Sequence, residues 1–238
     1  MNQQDLDPTL LPGKTVVVLD VLFATTTIAM ALHEGAREVI TVPEVEHARC
    51  YADETSTILA GEKDAVIPEG FATFAPLGLS RRNFQNHRLV LVSTNGTVAL
   101  HNASGADHVY AAALVNANAM CRHLLDQHHD GTILLVCAAS RHRFNIEDFV
   151  GAGLFVDLLT SAQPDRFALT DAACAARNLA QGNNFAATLH GSRVGRMVHG
   201  MNLSDDVDLA AHVDRYPVVP KSINGRLVPV QGTQVRSS

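Results

Sequence analysis

The stretch from Lys14 to Thr27 constrains this chain more than any other. Val16, Val17, Val18 and Leu19 form an unbroken apolar run ending in a carboxylate, Asp20, and Thr25, Thr26 and Thr27 then lead into a helical pattern. So short and branched a run is a strand buried on both faces. Val90 to Thr97 repeats the logic, an apolar strand running into Ser93-Thr94-Asn95-Gly96-Thr97 and a helical start. Ile133 to Ser140 does so again, followed by a charged turn from Arg141 to Asn145 and the acids Glu147 and Asp148. Strands that end in small, hydroxyl, amide or charged residues point to one rim of one sheet, where open α/β folds bind ligands.

Strand and helix patterns alternate through most of the chain. Strands are expected over 14–20, 38–41, 57–60, 89–93, 108–112 and 132–138, and helices over 25–34, 45–53, 97–103, 116–126 and 146–159. The alternation predicts an α/β three-layer sandwich, a mainly parallel sheet covered by helices on both faces. It reads as one domain over 1–238. Residues 63–85, rich in Gly, Pro and Phe, form a long irregular loop of the kind that serves as a lid or binding segment. From 165 to 213 the pattern is mostly helical (171–179, 185–199, 205–213), giving a helical C-terminal third. An extended tail follows around 216–219 and 226–230, and 233–238 are expected to fray.

Composition narrows the function classes. The chain has 238 residues and 47% hydrophobic residues, enough for a substantial core. No apolar run approaches the ~20 residues of a membrane span, and the polar, acidic first residues do not read as a signal peptide. A net charge of −6 without a basic patch argues against nucleic acid. Cys50, Cys121, Cys137 and Cys174 lack CxxC spacing, so reduced thiols in a cytoplasmic protein are expected. The 12 histidines show no ligand spacing and read as surface or capping groups; His142, inside the Arg141–Arg143 turn, is kept as a candidate substrate contact.

Asp20 at a strand end offers a hard oxygen ligand for Mg²⁺, beside a helix N-terminus suited to an anion; capping of that helix is the competing reading. Glu62, after Gly61, ends another strand and can reach the same rim or be a solvated turn. Glu147 and Asp148 open a helix, where acids are favoured in any case, and Asp171 has the same ambiguity. Thr25, Thr26, Thr94, Asn95, Gly96 and Thr97 are the donors expected to bind phosphate oxygens. Arg143, Arg193 and Arg196 are the cations able to hold a phosphate or carboxylate, whereas Arg88 reads as a solvated surface charge.

The segments Asp20–Thr27, Gly61-Glu62, Glu69-Gly70-Phe71, Ser93–Thr97, Arg143–Asp148, Thr170–Ala173 and Ser192–Arg196, taken in order, resemble the 2-phosphosulfolactate phosphatase family. The likeness extends over roughly 14–228, through Asp206, Val218–Pro220 and Gly225–Leu227. The resemblance implies a Mg²⁺-dependent phosphatase of coenzyme M biosynthesis. Asp20, Glu62, Glu147 and Asp148 would be its metal-side residues, and Asp20, Glu62, Asn95 and Asp148 its catalytic set. A small anionic phosphorylated substrate is implied, and a homodimer is expected by default for such an enzyme.

The chain departs from the family pattern on the anion side. Phe23 stands where an arginine is usual, Lys63 replaces an arginine, and Ile67 falls at a lysine position. Phe74-Ala75-Pro76 replaces Asn-Ser-Pro, and Val194 and Met197 stand at a histidine and an arginine position. Losing charge-assisted contacts while keeping the acids points to a substrate with a smaller or less charged tail. Replacement of the missing charge by Arg141 or Lys63 is the competing expectation. Asp20 is followed two residues on by Leu22 rather than by the second Asp of an aspartyl-phosphate phosphatase, so attack by water is favoured. Another small acidic substrate, or a non-catalytic binding role, remains a distinct outcome.

Overall fold

The structure, a computed structural model, describes residues 1–127, 130–141 and 143–230. His128, His129, His142 and the 233–238 tail therefore lie outside the described residues. The strands are β1 (Thr15–Leu19), β2 (Glu38–Val42), β3 (Thr57–Gly61), β4 (Arg88–Val92), β5 (His108–Ala112), β6 (Ile133–Cys137), β7 (Pro220–Ile223) and β8 (Arg226–Pro229). The helices are α1 (Ala24–His33), α2 (Val45–Arg49), α3 (Pro76–Leu79), α4 (Gly96–Asn102), α5 (Ala117–Gln127) and α6 (Ile146–Ala162). They continue with α7 (Asp171–Ala180), α8 (Phe185–Gly191), α9 (Arg193–His199) and α10 (Ser204–Ala211). None of the described helices is long and apolar enough to cross a membrane.

One sheet runs β3-β4-β2-β8-β7-β5-β1-β6. β3, β4 and β2 are mutually parallel, as are β5, β1 and β6. Between the two groups lies the β7–β8 hairpin, paired antiparallel on each side and within itself. The C-terminal tail is thus the centre of the sheet rather than a loose extension. Asn224 and Gly225, both at positive φ (52° and 75°), form its turn, the conformation that Asn-Gly adopts most readily in tight hairpins.

Helices cover both faces, as the apolar runs require. Val16 and Val18 of β1 pack into a cluster with Ile28 and Met30 of α1 and Leu100 of α4. Val17 and Leu19, pointing the other way, meet Met120 and Leu124 of α5 and Phe155 of α6. In the other half, Leu89 and Leu91 join the first cluster while Val90 and Val92 pack with Ala48 of α2. α1 is buried from Ala24 to Leu32, which explains why its sequence shows no polar face.

Several local expectations are corrected. Arg88 is buried, not solvated: it sits opposite Glu38 in the β2–β4 register, and its Nε donates to Glu38 at 2.6 Å. It also pairs with Glu54 and stacks over Tyr51. The helix expected over 185–199 is two, because the Ser192 hydroxyl accepts from the Gly195 N–H (2.8 Å) and starts α9 afresh. The 63–85 stretch is not wholly irregular. Ala72 pairs beside β3, and α3 is capped by Asp206, which accepts from the Leu77 N–H at 2.8 Å.

Candidate active site

A cleft of about 850 Å³, open solvent included, is lined by Asp20, Glu62, Ser93 to Asn95, Ser140, Arg141, Asn145 and Arg193, with Phe23, Phe74, Val194 and Met197 as its apolar side. These residues follow β1, β3, β4 and β6 or belong to the helices beyond. The two parallel groups run oppositely along the sheet, yet residues that follow strands of both groups line this one cleft.

Asp20 sits at the meeting of two helix starts. The backbone N–H groups of Ala24 and Gly96 both donate to its carboxylate. A Cβ at Gly96 would collide with that carboxylate and with the Ala24 methyl. Burial, then the charges of Glu62 and Glu147, push the Asp20 carboxyl up to about 7 against those two N–H donors. The anion held by these helix termini is therefore the protein's own.

Glu62 is placed by Gly61, whose φ of +136° and whose contact with the Val92 backbone admit no side chain. Its carboxylate accepts from the Thr94 N–H (2.7 Å), the Thr94 hydroxyl (2.8 Å) and the Ala65 N–H (2.7 Å). Asp148 lies behind the cleft, fully buried, and accepts from the Val21 and Ala139 N–H groups (2.9 and 3.2 Å). It ties the turn after β1 to the turn after β6, and burial followed by the Asp20 and Glu147 charges raises its pKa. Glu147 is 1% exposed, with neither oxygen in a hydrogen bond of good geometry. Burial raises its pKa, and the nearby Ser192 and Asn145 groups and Arg193 charge offset only part of that cost.

Of the expected phosphate donors, Thr94 and Asn95 line the cleft. The Thr94 hydroxyl is already engaged, donating to Glu62 and accepting from the Asp64 N–H (2.9 Å). The Asn95 Oδ1 accepts from the Arg141 N–H at 3.2 Å. Thr25, Thr26 and Thr97 are fully buried and do not line it. Their hydroxyls donate to the Asp20, Val21 and Ser93 carbonyls at 2.9, 2.9 and 2.8 Å, because a threonine at a helix start can turn inward to the backbone. Gly96 contributes its N–H to Asp20 and the Thr97 N–H goes to Ser93 Oγ (3.1 Å).

The expected cations also divide. Arg193 lines the cleft and donates to the Ser140 carbonyl at 3.1 Å. Arg143 is exposed and outside the lining, and Arg196 folds back on the Gly191 carbonyl. Asp171 is an exposed first-turn acid of α7, behind the Thr170 cap. Arg141, weighed in the sequence only as a replacement charge, is at the rim, 3.6 Å from Asp64. Nothing in the sequence separates Arg141 from Arg143, since they lie in one turn. Lys63 is taken up by Glu44 at 3.0 Å. Phe23 and Phe74 lie 6.3 Å apart, ring to ring, while Ile67 is exposed and outside the cleft.

Among the described residues no group of three or more His, Cys, Asp or Glu side chains is arranged to hold a metal ion. Mg²⁺, however, commonly takes one or two protein carboxylates, with waters and substrate phosphate completing its shell. Asp20 and Glu62 have that chemistry, and the unpartnered Glu147 oxygens and the lifted Asp20 carboxyl mark uncompensated negative charge beside them.

Fold and cleft together define an α/β protein with an acid-rich, arginine-rimmed strand-end site. A family profile described as 2-phosphosulpholactate phosphatase matches residues 2–225. The chain belongs to that family. It is 34% identical to a protein of Symbiobacterium thermophilum named "Probable 2-phosphosulfolactate phosphatase", over 92% of this chain and 95% of that one. Proteins of the same name from Carboxydothermus hydrogenoformans (35% identical, 90% of each chain) and Clostridium novyi (29%, 93% of this chain and 94% of that one) are similar along the same extent.

Proposed function

We propose that the chain is a Mg²⁺-dependent phosphoric monoester hydrolase acting on the phosphate ester of a small 2-hydroxy acid, 2-phosphosulfolactate or a close analogue. The observation that carries this reading is one cleft in which the carboxylates of Asp20 and Glu62 share the lining with Asn95 and the guanidinium groups of Arg141 and Arg193. Asp20 and Glu62 would hold the ion, which would supply charge neutralisation and orientation of the phosphate. Asn95 and Arg193 bind phosphate oxygens. Thr94 and Gly96 keep Glu62 and Asp20 in place, and Glu147 and Asp148 support the acid cluster from behind. A water attacks phosphorus, forming a P–O bond as the ester P–O bond breaks. Its proton passes to a carboxylate of the site and then to the departing alkoxide. In this reading residues 1–238 work as one domain, in the cytoplasm and as a symmetric homodimer.

Release of inorganic phosphate from 2-phosphosulfolactate or phospholactate with Mg²⁺, abolished by EDTA, is the expected result; no release from either ester overturns the reading. The Phe23–Phe74 wall favours a second, narrower version in which phospholactate is preferred to 2-phosphosulfolactate. Phe23→Arg then raises turnover of the sulfonate relative to phospholactate. Faster turnover of 2-phosphosulfolactate by the unaltered protein would instead support charge replacement by Arg141.

A further inference from the structure

We propose that Arg141 is the specificity-determining residue of the cleft: it reads the substrate's second acid group, carboxylate or sulfonate, and Asp64 holds its guanidinium at the rim until that anion displaces it. Among the described residues the cationic side chains lining the cleft are Arg141 and Arg193. Arg193 is committed to the Ser140 carbonyl and feels the charge of buried Glu147. Arg141 is placed differently. Its backbone is fixed, the N–H donating to Asn95 Oδ1 and the flanking Ser140 and Arg143 exchanging backbone hydrogen bonds at 3.1 Å. Its side chain is 64% exposed and meets Asp64, itself 62% exposed, at 3.6 Å. Exposed ion pairs at that separation are weak, so a carboxylate or sulfonate able to accept two parallel N–H bonds from a guanidinium competes with Asp64. There is also room to turn. Arg141 and Asp64 also line a second cavity, together with Gln3 and Asn102, so the pair borders two open spaces.

The substrate identity in this proposal rests on the phosphatase reading, but the recognition step can be tested separately. Phospholactate and isopropyl phosphate differ only in that a methyl group replaces the carboxylate. Arg141→Gln is expected to raise KM for phospholactate about tenfold, the worth of a hydrogen bond to a charged group. For isopropyl phosphate, which lacks the acid group, the rise in KM should be several-fold smaller. Arg141→Lys should recover part of the loss, and Asp64→Asn should lower KM for phospholactate alone. Equal losses on both esters, or none on either, overturn the assignment. If the unaltered protein hydrolyses neither phospholactate nor isopropyl phosphate, calorimetric Kd values for the same two probes decide Arg141 on the same criterion, while turnover of 2-phosphosulfolactate decides the phosphatase reading separately. Binding of neither probe overturns the Arg141 assignment.

Discussion

Asp20 shows how one carboxylate can change the meaning of a motif. A strand end followed by Thr25, Thr26 and Thr27 reads as a pocket for a foreign anion, yet the Ala24 and Gly96 N–H groups are spent on Asp20 itself. The residue types at the strand end were legible; the inward turn of the hydroxyls was not, because capping and ligand binding use the same side chains. Gly96 is the residue on which this arrangement turns. Gly96→Ala drives a methyl into the Asp20 carboxylate and Ala24. The expected cost is about 1–3 kcal/mol of stability, as for other overpacked sites, together with loss of most phosphate release. Thermal unfolding and the Mg²⁺ assay check it; full activity would show that Asp20 keeps its place by another route.

At the scale of elements, the 63–85 segment matters because it carries both Glu62's neighbour Ala65 and the Phe74 wall into the cleft. Its anchor comes from far along the chain. Asp206 of α10 accepts from the Leu77 N–H in the first turn of α3, and burial raises the Asp206 pKa despite that bond. Asp206→Ala removes this cap and is expected to cost about 1 kcal/mol, to expose 63–85 to limited proteolysis, and to raise KM by loosening Phe74. Proteolysis at the rate of the unaltered protein would show that the segment is held by its contacts with β3 instead. The length and composition of this loop could be read in the sequence, but its tether joins residues 129 positions apart.

For the molecule as a whole, the β7–β8 hairpin joins the two parallel groups. A chain ending at Val219 lacks that junction, and is expected to show no cooperative urea transition by circular dichroism; a two-state transition would mean that one half folds alone. The buried acids make stability depend on pH in two opposed ways. Asp20, at about 7 when folded, binds its proton more tightly than in the unfolded chain, as do Asp148 and Glu147, whose pKa values are raised by burial. The folded state of the metal-free protein therefore gains on the unfolded one as pH falls from about 8 towards about 5. Glu38 acts oppositely. Burial alone would raise it, but the Arg88 hydrogen bond and charge, with Arg226, hold its carboxyl below the ordinary value. Its contribution is complete above the unfolded pKa and is lost as pH falls through the folded one, so stability declines again below about 4. Urea midpoints from pH 3.5 to 8.5 check this; a midpoint that climbs steadily to pH 8 contradicts it.

The sequence by itself determined the strands and most helices, since apolar runs buried on both faces and helical spacing are local signals. It also determined the family, whose profile runs through residues 2–225, and the strand-end places of Asp20 and Glu62. The Asn224-Gly225 turn was a signal too, present in the chain but lost in what reads as an extended tail. Only the tertiary structure decided that this hairpin enters the middle of the sheet, that residues following oppositely running strands meet in one cleft, and that Arg141 rather than Arg143 stands at its rim. Those outcomes depend on pairings and side-chain directions between residues far apart in the chain, which no local pattern of residue types can specify.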